Sequence, residues 1–302
     1  MKQEGIDYRK FLNPETVLKL ASLEVRARFI VEGFLLGLHK SPYHGFSIEF
    51  SQHRPYMQGD SLKDVDWKVF GKTDRYFVKQ YEEETNLRCN ILLDISASME
   101  YKQGSASSKI EYAATLAAAL AYLMIKQKDA AGLVLYSDVI HKYLPPRAAE
   151  IYLKEILLTL SRIPKAEKTD TSRSLKAVAE KIHRRGLIII ISDLFDEPSS
   201  LLKTFRELRS TGNEVVVFHT LDPFERNFNF NSDSLFVDLE SGDEMTVQPH
   251  QLKKSYREAL NRYTAEIKAG CQQAGIDYNL LDTAVPFDKA LYTYLQKRSR
   301  MK

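Results

Sequence analysis

Cysteine is nearly missing from the 302 residues: Cys89 and Cys271 are the only two. Two cysteines build no disulfide framework, and a reducing, cytoplasmic setting is the expectation. Long apolar runs are missing as well. Crossing a bilayer takes about 20 consecutive apolar residues, and the nearest candidate, 30–38, is broken by Glu32, Gly33 and Gly37. No transmembrane segment is expected, and the polar stretch 1–13, without an apolar core, predicts no signal peptide. Neither sign of charge is in excess: 43 basic and 40 acidic residues leave +3, too even a balance to point to nucleic acid. The seven histidines lack metal-ligand spacing. A Gly-x-Ser-x-Gly elbow, a His-Glu-x-x-His helix and a Gly-x-x-x-x-Gly-Lys phosphate loop are all absent. Repeats and low-complexity segments are absent too. What remains is an ordinary globular composition, 44% hydrophobic and 27% charged, with material for a substantial core.

Within it, the stretch Arg88-Cys-Asn-Ile-Leu-Leu-Asp94-Ile-Ser96-Ala-Ser98-Met99 stands out. Its apolar centre, 91–93, reads as a buried parallel strand that breaks into an aspartate and two serines at alternate positions. Upstream, 14–40 reads as one amphipathic helix, opened by Asn13 as N-cap and Pro14 at the first helical position. Strands are expected at 46–50 and 76–81, with Trp67 anchoring this segment to the main body. Asp60, Asp64 and Asp66 lack the glycine and closing glutamate of a calcium loop and read as local ion pairs or caps.

From 87 onward strands and helices alternate. Helices are expected at 109–128, 148–160, 171–183, 198–210, 249–269 and 286–297. Strands are expected at 131–136, 186–191, 214–218 and 277–281. An antiparallel edge strand, 139–143, is stopped by Pro145-Pro146, Asp222-Pro223 is a break, and 236–247 is a hairpin. This alternation predicts an α/β fold: a doubly wound, mostly parallel sheet with helices on both faces over 87–302, preceded by a smaller helix-plus-strand segment over 1–86.

In such a sheet the loops at the C-terminal strand ends converge on a ligand. Three of them carry oxygens: Asp94, Ser96 and Ser98; Thr169, Asp170 and Thr171; and Ser192 with Asp193. Hard oxygens without thiolate or imidazole suit Mg²⁺, Mn²⁺ or Ca²⁺ rather than zinc. For Asp94 and Ser96 alone, an Asx turn between strand and helix is the plain alternative.

Together these three loops resemble the metal-ion-dependent adhesion site of von Willebrand factor A domains. The run Arg54-Pro-Tyr56-Met-Gln-Gly59-Asp60-Ser-Leu-Lys63-Asp64-Val-Asp66-Trp67, followed by Val78-Lys79-Gln80-Tyr81-Glu82-x-Glu84, resembles the bacterial "domain of unknown function 58" family. That family joins this segment to a von Willebrand A-like domain opening in Asp-x-Ser-x-Ser-Met. The resemblance implies a metal site of Asp94, Ser96, Ser98, Thr169 and Asp193. It also implies a non-catalytic adaptor that works beside a MoxR-type AAA+ ATPase in assembly or metal insertion for other proteins. In the family a glycine commonly precedes the threonine. Here Lys168 does, which leaves Thr171 as the alternative ligand and puts a positive charge near the ion. A partner protein's carboxylate would complete the ion's shell. Two other readings stay open. A phosphatase-like hydrolase would use Asp94, although enzymes with an aspartyl nucleophile place a second aspartate where this chain has Ser96. A von Willebrand A-like scaffold would bind partners without any ion.

Overall fold

The segments 91–93, 131–136, 187–191 and 215–218 are apolar without alternation, a pattern that only a sheet covered on both faces can bury. The computed structural model describes residues 13–40, 53–56, 67–79, 87–166, 171–182, 184–230, 234–237 and 243–300. It places all four segments in one sheet. α1 (Pro14–Val17), α2 (Leu23–Lys40), β1 (His53–Pro55), α3 (Trp67–Thr73) and β2 (Phe77–Lys79) come first. β3 (Arg88–Asp94), α4 (Lys109–Lys126), β4 (Ala130–Tyr136), β5 (Ile140–Arg147), α5 (Glu150–Leu160), α6 (Thr171–Lys181) and β6 (Leu187–Ser192) follow. The chain continues with α7 (Pro198–Ser210), β7 (Glu214–Leu221), α8 (Pro223–Asn227), β8 (Ser234–Val237), β9 (Glu244–Val247), α9 (Pro249–Gln273), β10 (Asp277–Asp282) and α10 (Asp288–Arg300). The sheet order is β10-β7-β6-β3-β4-β5, parallel except for β5. β1–β2 and β8–β9 form separate antiparallel pairs.

Period-2 alternation sorts the strand side chains between two cores. Ile91, Leu93, Ile189, Ile191, Val216 and Phe218 face α2, α4, α5 and α10. Leu92, Val134, Ile188, Ile190, Val215 and Val217 face α6, α7 and α9. The doubly wound, mostly parallel fold is thus established. Its strand order reverses at β3: the chain first runs outward through β4 and β5, then returns to β6 on the other flank. The C-terminal ends of β3 and β6 therefore lie side by side at the switch point, where such sheets hold ligands. Among the described residues no helix is long and apolar enough to cross a membrane.

Close approach between β3 and β6 depends on Gly186. A Cβ there would stand 2.2 Å from the Arg88 carbonyl oxygen, a backbone atom that cannot step aside. Gly186→Ala is expected to cost about 2–3 kcal/mol, read as a lowered denaturant midpoint. A loss within error of zero would mean that the two strands tolerate separation.

Several expectations change. The predicted helix over 14–40 is two helices, because Ser22 accepts from the Val25 amide and caps a second start. Arg26 then donates to the carbonyls of Leu18 and Leu20 and pairs with Glu111 on α4 at 3.1 Å, fastening the break to the main body. Ala27, Ile30, Val31 and Phe34 share one core with α4, so the core runs across the sequence boundary at 86. Pro145-Pro146 do not stop β5, which continues to Arg147. A register shift between Ala131 and Leu133 absorbs them, as an edge strand allows. Trp67 does not anchor its segment to the sheet: it is 57% exposed and packs edge-on to Phe70 and Tyr76 of its own segment. Asp222-Pro223, expected only as a break, opens the short helix α8. The expected strand at 46–50 and Asp60, Asp64 and Asp66 lie outside the described residues.

Candidate functional site

Asp94 closes β3 with no exposed surface. Its Oδ1 accepts the Ser96 amide at 3.0 Å, which makes the turn, and its Oδ2 accepts the Ser192 hydroxyl at 2.7 Å. The two strand ends at the switch point are thereby joined through side chains. Ser96 and Ser98 hydroxyls lie 3.1 Å apart. The Asx turn and the candidate site are thus one structure, since the bonds that shape the turn gather the oxygens.

Asp193, one residue past β6, is 1% exposed, and its Oδ1 is buried without a hydrogen-bond partner. Its Oδ2 accepts from the Lys109 ammonium at 2.7 Å. Leu194, next in the chain, has φ of 55°, a left-handed backbone that a leucine adopts only when its surroundings enforce it. The Ser192 hydroxyl accepts its amide, and the Tyr263 hydroxyl of α9 donates to the carbonyls of Leu194 and Asp196. The loop is held from both sides.

Thr169 and Lys168 lie outside the described residues, so neither is placed. Thr171 opens α6 fully buried, and its Oγ1 has no partner. The neighbouring Ser172 donates through its amide and hydroxyl to Asp196 Oδ2 at 3.2 and 3.1 Å, docking this helix start on the loop after β6.

Sequence reasoning missed three members. Lys109, the first residue of α4, has no exposed surface and bridges Asp193 to Glu225 Oε1 at 2.6 Å. The rings of Phe195 and Tyr101 stand 4.9 and 5.8 Å from its ammonium. Burial works against its charge, but Asp193 and Glu225 outweigh it and raise the ammonium's pKa. The legible signal was a lysine in a helix's first turn, against the macrodipole. Glu225 and Asp222 form the capping box of α8, written in the sequence as Asp-Pro-Phe-Glu. The Asp222 carboxylate also accepts the amides of Gln103 and Gly104 and the Ser105 hydroxyl, at 2.9 to 3.3 Å. It clamps the loop between β3 and α4.

Lys109 lies between Asp193 and Glu225, so one ammonium serves two carboxylates, and the Asp193 charge acts on Asp94 as well. Burial, and then the charge of Asp193, push Asp94 up to about 7, against hydrogen bonds from Ser192 and Ser96. Near neutral pH a proton thus partly neutralises Asp94, and a cation would compete with it. Among the described residues no three His, Cys, Asp or Glu side chains are grouped to hold a metal. An ion here would depend on hydroxyls and water beside Asp94 and Asp193, as Mg²⁺ does. The unpartnered Asp193 Oδ1 and Thr171 Oγ1 fit that need, since buried polar atoms without partners call for a ligand or water.

The uncharacterized proteins Rv1480 of Mycobacterium tuberculosis and Mb1516 of Mycobacterium bovis are each 26% identical over 261 residues, 84% of this chain and 81% of theirs. Among solved structures, the conserved hypothetical protein BatB from Bacteroides thetaiotaomicron is 20% identical, with a TM-score of 0.48 over 71% of this chain and 98% of that one. An aerotolerance-related membrane protein from Bacteroides fragilis is also 20% identical, with a TM-score of 0.46 over 70% and 99%. The VWA domain of SpRpn10 is 10% identical, with a TM-score of 0.41 over 69% and 95%. The family model of the proteins of unknown function DUF58 matches residues 52–269, well over half of the sequence, and the chain belongs to that family.

Proposed function

We propose that this chain is a non-catalytic protein-binding module built on a cation site. Asp94, Ser96, Ser98 and Asp193, with Thr171 at the start of α6 or with Thr169, would hold a divalent ion, Mg²⁺ first and Mn²⁺ or Ca²⁺ next. Bound there, the ion would supply an open coordination position for a carboxylate from a protein partner. The chain's own part is to orient the oxygens. Ser192 and the Ser96 amide fix the Asp94 carboxylate, and Lys109 fixes one oxygen of Asp193 and leaves the other buried without a partner. The observation that carries this reading is the buried Asp193 Oδ1 without a hydrogen-bond partner, one residue past β6 at the switch point, with the Asp193 charge acting on Asp94. Among the described residues the one serine–imidazole pair, Ser137 with His141 at 2.7 Å, lies after β4 and not with Asp94 and Asp193, which favours recognition over hydrolysis at this site. Acting beside a MoxR-type AAA+ ATPase belongs to the same proposal and rests on the family resemblance.

Calorimetric titration with MgCl₂ and MnCl₂ tests the site. Asp94→Ala is expected to weaken binding by at least about tenfold, and equal binding by both proteins would sink the cation claim. A candidate AAA+ ATPase captured in Mg²⁺ and released by EDTA supports the partner assignment. A second reading, the same scaffold without an ion, draws support from the Lys109 ammonium already on Asp193; partner capture unchanged in EDTA would favour it.

A further inference from the structure

Beside the cation site lies an open groove of about 910 Å³ between the loop after β6, the β8–β9 hairpin and α9. Its wall is an aromatic cluster. Phe228 stacks on Phe236 with centroids 5.7 Å apart and meets Tyr256 at 4.5 Å. Phe230 stands edge-on to Phe236 at 4.9 Å and to Phe228 at 5.2 Å. Rings that brace one another in this way form a surface shaped before any ligand arrives. Phe195, Val237, Met245 and Leu252 stand round the same groove with 43%, 47%, 60% and 43% of their surface exposed. Large apolar side chains gathered on one surface mark an interaction site, whereas scattered ones do not.

The charge of the lining narrows the occupant. Asp243 and Glu244 line the groove as exposed carboxylates, Glu225 lines it but is held by Lys109, and among the described lining residues none is lysine, arginine or histidine. The Lys109 ammonium behind Phe195 is buried and already spent on Asp193 and Glu225. Fatty acids and anionic lipid would meet carboxylates at the rim. An apolar segment carrying lysine or arginine would meet opposite charge. We propose that the groove docks an amphipathic segment of a partner protein, its apolar face against the Phe228–Phe236 wall and a flanking cation against Glu244 and its acidic neighbours. This deepens the reading of the chain as a protein-binding module and rests on it for the class of ligand, but it requires no ion.

The test is a random-peptide display selection on the purified full chain in EDTA, with affinities of synthesised winners measured by fluorescence anisotropy. Enriched peptides are expected to combine aromatic or aliphatic positions at helical spacing with lysine or arginine. Leu252→Glu with Met245→Glu should weaken them by about tenfold or more, with an unchanged circular dichroism spectrum because both side chains are exposed. Glu244→Lys should turn the preference toward acidic peptides. Enriched peptides that ignore the Leu252 and Met245 changes, or that are acidic on the parent chain, would overturn the proposal. So would self-association of the chain broken by Leu252→Glu, which would make a second copy the occupant. Peptides that bind only in Mg²⁺ and through the Asp94 site would sink the groove and leave the cation-dependent module standing. Groove binding in EDTA by a chain that takes up no Mg²⁺ would do the reverse.

Discussion

Lys109→Met is expected to lower the unfolding free energy by about 3–5 kcal/mol, read as a shifted urea midpoint with an unchanged slope. The loss comes less from the ion pair itself than from what the substitution leaves behind. Asp193 and Glu225 would sit with side chains 1% and 13% exposed, with no charge between them. Neutralising Glu225 as well relieves part of that penalty and leaves only Asp193 unpaired, so Lys109→Met combined with Glu225→Gln should be less damaging than the single change. Divalent cation should restore part of the single variant's stability, because a ligand that binds only the folded state stabilises it by mass action. A midpoint that moves by less than about 1 kcal/mol equivalent would mean that water already reaches these carboxylates.

Asp222→Ala is the second large effect, about 2–4 kcal/mol. One buried carboxylate accepts the amides of Gln103, Gly104 and Phe224 and the hydroxyl of Ser105. Its removal strands the three amides, at about 1–3 kcal/mol for each that water cannot reach, whereas the Ser105 hydroxyl keeps the Ser107 carbonyl at 2.6 Å. The loop is also wedged in place: a Cβ on Gly104 would lie 2.5 Å from the Phe224 ring. Hydrogen exchange should therefore report the change locally, with the Gln103 and Gly104 amides losing protection before the strands do. If those amides stay protected in the variant, backbone packing alone holds the loop. Because this loop leads into Lys109, its release should also weaken cation binding at Asp94.

The two predictions mark the divide between what the sequence made legible and what it did not. Asp94, Ser96, Ser98 and Asp193 were legible because each follows a strand whose apolar run announces its own end, and parallel topology then brings those ends together. The alternation of strands and helices likewise gave the doubly wound sheet. Lys109 was not legible, since reading a helix by its period treats a polar first residue as solvent-facing. Its burial depends on carboxylates 84 and 116 positions away in the chain. Asp222 read as a break for the same reason: the capping box is local, but the loop it clamps lies more than a hundred residues earlier. The lysine expected beside the threonine, Lys168, lies outside the described residues, and the ammonium found on Asp193 belongs to a different residue, Lys109. The threonine is divided between Thr171, buried without a partner for its hydroxyl, and Thr169, which lies outside those residues.

The pair of prolines in β5 has a bearing on how copies of this chain behave in a crowded solution. An edge strand recruits further strands through spare amides and carbonyls, the usual start of fibrous aggregation. Pro145 and Pro146 have no amide hydrogen to give. Their carbonyls are already used, the first by the Tyr152 hydroxyl at 2.6 Å and the second by Arg88 at 3.1 Å. That stretch of the margin therefore offers an incoming strand neither donor nor acceptor, so copies are steered away from growing the sheet there.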